Sequence, residues 1–225
     1  MKQEIEDMGL SKGMSSKQRF VRVAVLIAVL SGGGIAIWKG LLEDRIIPKK
    51  WGVIEEGKIY RSGQLSATLV KRVLRKHNIG VIVDLGAESQ NNKDQAAEIK
   101  AAAELGIRIE RFPLSGNGTG DIERYAQAIA ALVEARRVGK PVLVHCAAGA
   151  QRTGGVTACY RLLVERRDAE FAYRELRRYG WRPKKNAALL RYVNENMAQL
   201  ASLLKEMGVI EEIPDPLPQL HSPGG

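Results

Sequence analysis

The 225-residue chain holds only two cysteines and three histidines. Two cysteines make no disulfide framework. Cys146 and Cys159 stand 13 positions apart. One helix across most of that interval separates them by ~20 Å, which no disulfide spans. Cys159 therefore reads as a buried apolar helix residue rather than a redox partner. His77, His145 and His221 are scattered, and no Cys, His and carboxylate cluster has metal-ligand spacing. No metal or other cofactor is implied. Aromatic residues make up 5% of the chain, and no basic stretch is interleaved with them. The net charge of +10 and pI near 9.7 therefore point to anionic membranes or phosphorylated partners, and away from nucleic acid. No internal repeat is apparent, and nothing in the chain sets its oligomeric state.

Long apolar runs are also scarce. Val23 to Trp38 holds 16 uncharged residues between Arg22 and Lys39. The length is near the short limit for a membrane-spanning helix, and flanking cations can snorkel. Ser31-Gly32-Gly33-Gly34 weakens a helix in water and is tolerated in lipid. A transmembrane anchor is the leading expectation, ahead of a cleaved signal peptide or a buried soluble helix. The expected order is a polar segment (1–22), the anchor (23–38), a linker (39–50), a globular domain (51–207) and a Pro-rich disordered tail (208–225). Four cations precede the anchor (Lys12, Lys17, Arg19, Arg22) and four follow it (Lys39, Arg45, Lys49, Lys50), so orientation is undetermined by charge.

The chemistry concentrates in His145-Cys146-Ala147-Ala148-Gly149-Ala150-Gln151-Arg152-Thr153-Gly154. An apolar run, Pro141 to Val144, precedes it and a helix-like segment follows. A loop at a helix N-terminus turns several backbone N–H groups toward an anion, and the helix dipole adds positive potential. The same field favours thiolate over thiol, which makes Cys146 a candidate nucleophile. The guanidinium of Arg152 offers a planar fork for two phosphate oxygens.

This stretch fits His-Cys-x-x-Gly-x-x-Arg-(Ser/Thr)-Gly, and the chain resembles the cysteine-dependent phosphatases of the compact dual-specificity type from about Trp51 to Leu204. The weaker Ile59-Tyr60-Arg61-Ser62-Gly63-Gln64 run is similar to the opening strand and turn of small bacterial and fungal members. Rhodanese-like enzymes also place Cys and Arg around an anion loop, but with a different spacing. The resemblance implies that Cys146 attacks phosphorus and that Arg152 and the loop, Ala147, Ala148, Gly149, Ala150 and Gln151, hold the phosphate. It also implies that His145 orients the loop. Thr153 either donates its hydroxyl to the departing sulfur or caps the helix. A working thiolate needs a reduced compartment, which favours a cytoplasmic catalytic domain.

Read in order, strands are expected at Lys58–Tyr60, Val81–Leu85, Ile107–Phe112 and Pro141–Val144. Helices are expected from Ser66 to His77, from Asp94 or Gln95 to Leu105, and from Asp121 to Arg137. Three more follow, over Gly155–Arg166, Asp168–Tyr179 and Ala187–Leu204. Strands alternate with helices, which makes the class α/β: a mainly parallel central sheet flanked by helices, with the phosphate-binding loop between a central strand and a helix.

Two departures from the family pattern matter. Gly86 stands where members often have Arg after Asp-Leu. Leu114 follows Pro113, where members place the acid. The nearest carboxylate in the Gly-rich run is Asp121, 25 residues before Cys146, and it is read equally as general acid and as helix cap. Glu123 and Asp84 are poorer candidates by position. The loop interior has no Lys and no further Arg, which favours phosphorylated protein side chains, phosphotyrosine foremost. Inositol phosphates or phosphoinositides are the alternative substrates, and a phosphate-binding adaptor without catalysis is the rival class. Arg177, Arg178, Arg182, Lys184 and Lys185 cluster around Gly180-Trp181, as a solvated face or a docking patch for an anion.

Overall fold

Apolar alternation places the sheet. The computed structural model describes residues 47–222. Its five strands are β1 (Gly52–Glu55), β2 (Ile59–Gly63), β3 (Val81–Asp84), β4 (Arg108–Arg111) and β5 (Val142–Cys146). They lie in the order β1-β2-β5-β3-β4. β2, β5, β3 and β4 are parallel, and β1 pairs antiparallel with β2. Val81, Val83, Val142 and Val144 face one core, while Ile82 and Leu143 face another on the opposite side. This is the period of two that a sheet covered on both faces requires.

Seven helices are formed among the described residues: α1 (Val70–Lys76), α2 (Lys93–Leu105), α3 (Ile122–Arg137), α4 (Gln151–Leu163), α5 (Ala169–Arg178), α6 (Ala187–Glu195) and α7 (Met197–Glu206). Buried residues of α1 and α2 join the smaller core. Those of α3 to α7 join the larger one. The α/β class and mainly parallel sheet stand as the chain's pattern indicates.

Several boundaries differ for identifiable reasons. β1 was not expected, because four residues with Val53 turned outward carry no apolar run. Ser66 does not cap α1 with its side chain; its carbonyl accepts from Leu69 and Val70, so a turn precedes the helix. The last expected helix breaks at Asn196, whose side chain donates back to the Tyr192 carbonyl. α4 begins at Gln151, inside the motif rather than after it.

Three expectations about the chain ends are corrected. Residues 23–38 lie outside the described residues, and among the described residues no helix is long and apolar enough to cross a membrane. The reading as a single-pass membrane protein is therefore withdrawn. The linker does not run free to residue 50: the Lys49 carbonyl accepts from Gly63, and Trp51 stacks on Tyr60 and His77 at 5.3 and 4.5 Å. The tail is not disordered where it is described. Leu220 is fully buried, and its backbone exchanges two hydrogen bonds with the Asn194 side chain.

The tail yields a direct test. Leu220→Ala removes a fully buried side chain and should cost about 2–4 kcal/mol of unfolding free energy. Urea denaturation of the variant beside the parent measures it, and an unchanged midpoint would mean the tail does not pack.

Candidate active site

Strand register assembles the site. β5 lies between β2 and β3, with His145 beside Ser62 on one flank and Asp84 on the other, and Gly63 beside Cys146. Three parallel strands thus end together at the point where ligands bind in open α/β sheets. Ala147 to Ala150 form the loop, Ala147 and Ala148 exposed and Gly149 and Ala150 buried. Gly149 has φ +68°, and a Cβ there would lie 2.5 Å from the Gly63 nitrogen. Only glycine fits, for backbone angle and for space.

The Cys146 sulfur is nearly fully buried and accepts a hydrogen bond from the Gly149 N–H at 3.2 Å. Burial pushes the thiol up. The Thr153 hydroxyl and amide, the Arg152 guanidinium and the Gly149 amide outweigh it and hold the thiol below its ordinary range. The Thr153 hydroxyl approaches the sulfur without full hydrogen-bond geometry. Cys159, by contrast, is pushed up to about 12 by burial alone, as an inert core residue should be.

Arg152 is half-buried and donates to the Leu85 carbonyl at 3.2 Å. A Cβ on Gly86 would lie 3.7 Å from its guanidinium. Gly86, in place of the family's Arg, thus leaves room beside Arg152. Arg111 instead reaches Asp84 at 3.0 Å. Asp84 also accepts from Gly86 and Gln95 and is buried, so its carboxylate is committed beneath the site.

Below the loop lies a charge cluster that periodicity did not show. His145 Nε2 is 3.2 Å from Glu98 of α2, and its Nδ1 is 3.9 Å from Asp84. All three residues are buried. Burial disfavours the imidazolium, yet the charge and contact of Glu98, with Asp84 and Cys146 behind it, raise His145 to about 9. His145 is therefore a cation under the loop at neutral pH. Glu98 escaped the sequence reading because one Glu in an Ala-rich helix looks like a solvated position. Arg61 was also passed over. It is fully buried in β2, donates to the Gly149 carbonyl at 2.9 Å and stacks 3.8 Å above the Tyr179 ring.

The Gly-rich segment before α3 is pinned rather than free. Tyr125 donates to the Gly118 carbonyl, and Tyr192 donates to the Gly120 carbonyl at 2.7 Å. A Cβ on Gly118 would lie 3.1 Å from the Gln151 carbonyl carbon, which places this segment against the start of α4. Asp121 is exposed and caps α3 by accepting from the Glu123 N–H at 2.9 Å. Glu123 lies exposed in the first turn of α3.

The imidazolium predicts a pH signature. His145 has a folded-state value above its ordinary one, so its stabilisation is complete below pH ~6.5 and is lost as pH rises toward 9. Glu98→Gln should flatten that decline. Unfolding free energies of both proteins from pH 6 to pH 10 measure it, and parallel curves would mean that Glu98 does not hold the proton.

Comparison with known proteins places this geometry. No curated protein matches the chain in sequence. Among solved structures, P. aeruginosa TpbA is 24% identical over 71% of this chain and 91% of its own, with a TM-score of 0.56. The core catalytic domain of the PP-IP phosphatase SIW14 from S. cerevisiae is 21% identical over 70% and 93%, with a TM-score of 0.56. PTPMT1 is 17% identical over 68% and 99%, with a TM-score of 0.51. At these identities the likeness is one of fold. The family described as DSP-PTPase phosphatase fused to NAD+ kinase matches residues 36–191, well over half of the sequence, and the chain belongs to that phosphatase family.

Proposed function

We propose that this phosphatase hydrolyses phosphomonoesters through a phosphocysteine on Cys146. The observation that carries the reading is the Cys146 sulfur, buried at the end of β5 just before α4 and accepting from the Gly149 N–H at 3.2 Å, with Thr153, Arg152 and Gly149 holding the thiol below its ordinary range. The sulfur attacks phosphorus as the bond to the leaving oxygen breaks. Loop amides and Arg152 hold the equatorial oxygens, preorganised donors aimed where charge builds. Asp121 gives its proton to the leaving oxygen. In the second step Asp121 takes a proton from water, the oxygen attacks phosphorus, and the S–P bond breaks with the Thr153 hydroxyl facing the departing thiolate. Inorganic phosphate then leaves. Asp121 enters as the carboxylate of the segment that packs against the start of α4; Asp84 is committed to Arg111, Gly86 and Gln95.

The loop itself asks for one phosphate on an ester oxygen, which phosphotyrosine supplies. The TpbA complex with pTyr supports that minimum substrate. The ground for preferring protein substrates was the lack of cations in the loop interior. Arg61, Arg182 and Cys146 each lie close enough to Lys50 to act on its charge. That observation favours the second reading, a phosphate-dense small molecule such as an inositol phosphate. PTPMT1 with PI(5)P and the PP-IP phosphatase SIW14 are precedents of fold.

One experiment tests the chemistry. Parent, Cys146→Ser and Asp121→Asn are assayed on phenyl phosphate and on an activated aryl phosphate. Cys146→Ser should be silent on both. Asn still caps α3, so Asp121→Asn should keep the fold while losing ~10²–10⁴-fold on phenyl phosphate, and far less on the activated ester. An equal small loss on both would leave Asp121 as a cap. Turnover by Cys146→Ser would overturn the mechanism.

A further inference from the structure

Four cations gather beside the phosphate loop from three separate parts of the chain. Lys49 and Lys50 come from the turn before β1. Its carbonyl holds Lys49 to Gly63 at 2.7 Å. The position a Cβ would take on Gly63 lies 3.1 Å from the Lys49 side chain and 3.2 Å from the Ala147 carbonyl oxygen. The Lys49 stem therefore runs along the loop's edge. Lys50 adopts φ +48°, a left-handed conformation uncommon for a long side chain. Its Nζ lies 2.7 Å from where a Cβ on Gly180 would stand. Gly180, itself at φ +87°, makes room for the ammonium. Arg182 follows two residues later, and Arg61 lies buried underneath.

Both turns are held by tryptophan. Trp51 stacks on Tyr60 and His77, which fixes Lys50 just before it. Trp181 is buried, packs edge-on against Tyr173 at 5.6 Å and donates to the Asn186 carbonyl, which fixes Arg182 just after it. The backbone at Lys50 and Arg182 is thus set in place, with Arg61 buried, Lys50 half-buried and Lys49 and Arg182 exposed.

Among the described residues, no carboxylate lies within ion-pair distance of Lys50, Arg61 or Arg182. Glu175 is the carboxylate that acts most on Arg61, and Arg161 engages it at 2.9 and 3.0 Å. Arg61 keeps its Nε and one terminal nitrogen without a hydrogen-bond partner. Burial, Lys49, Arg61 and Arg182 all push Lys50 down, and only Cys146 pulls it up. Like charges held this close, one of them in a strained backbone, cost stability unless an anion relieves them.

We infer that Lys50 and Arg182, backed by Lys49 and Arg61, form a second anion subsite that takes a further phosphate of the molecule whose first phosphate sits in the loop. This rests on the loop being the phosphate site of the proposed function. The substrate class is then a small molecule with two or more phosphates close together. A phosphotyrosine side chain carries one and leaves the subsite unfilled.

The test is calorimetry with orthophosphate and tripolyphosphate on the full chain, which needs no turnover. Tripolyphosphate should bind at least about tenfold tighter at low salt, the scale of one well-placed charge contact. The advantage should shrink as salt rises. Lys50→Met and Arg182→Gln should each cut it several-fold, with thermal melts confirming the fold. Lys140→Gln, whose residue packs on Gly80 at the opposite end of the sheet, should leave the ratio unchanged. A soluble inositol polyphosphate and the same headgroup on phosphatidylcholine vesicles then separate a free from a lipid-borne ligand. Equal affinity for both inorganic anions, or a ratio untouched by both variants, overturns the subsite. If aryl phosphates are still hydrolysed, the catalytic reading survives that failure. If they are not, yet tripolyphosphate is preferred through Lys50, the subsite survives and the catalytic reading fails.

Discussion

A thiolate buried at the end of a central strand exists only if the protein supplies positive potential that water no longer can. Most of the site follows from that constraint. β5 must end between two parallel neighbours, so that the chain can turn over their ends and present amides to the sulfur. Gly149 must be glycine, because it rests against the backbone of Ser62 and Gly63. α4 must start at once, so that its first amides and Arg152 surround the same point. Each requirement is local, and together they leave one arrangement of loop, strand and helix.

The same constraint acts below the loop. His145 keeps its proton because Glu98 and Asp84 flank it. Two carboxylates facing one imidazolium would leave negative charge behind, and Arg111 bonds Asp84 to offset it. The balance sits close enough to Cys146 that the sulfur helps His145 keep its proton. Arg61 adds a second support from the other flank by holding the Gly149 carbonyl. The outer cations, Lys50 and Arg182, are a different matter. They do not bond the loop, and their mutual repulsion is unrelieved by any carboxylate among the described residues.

Much of this was legible from the chain. The α/β class followed from alternating periods, and the apolar runs at Val81 and Val142 lie in β3 and β5. The motif stands between strand and helix because its spacing has a physical meaning there. What was not legible depends on distance across the fold. β1 is too short to carry a period. Glu98 is 47 residues before His145 and sits in a helix whose exposed and buried positions look alike. Lys49 and Lys50 read as linker, because nothing local says that Gly63 will bind the backbone of one and Gly180 will shelter the ammonium of the other. The Pro-rich tail reads as disordered because its buried anchors, Ile210 and Leu220, stand apart among prolines and polar residues with no helical or strand period.

The central claim is that Cys146 carries the phosphoryl group between the two steps. Rapid acid quench during turnover of an activated aryl phosphate, followed by mass spectrometry of the peptides, tests it most directly. The account predicts a phosphate adduct on the peptide containing Cys146 and none on the peptide containing Cys159. Turnover at full rate with no adduct on Cys146, or with the adduct on another residue, would contradict it.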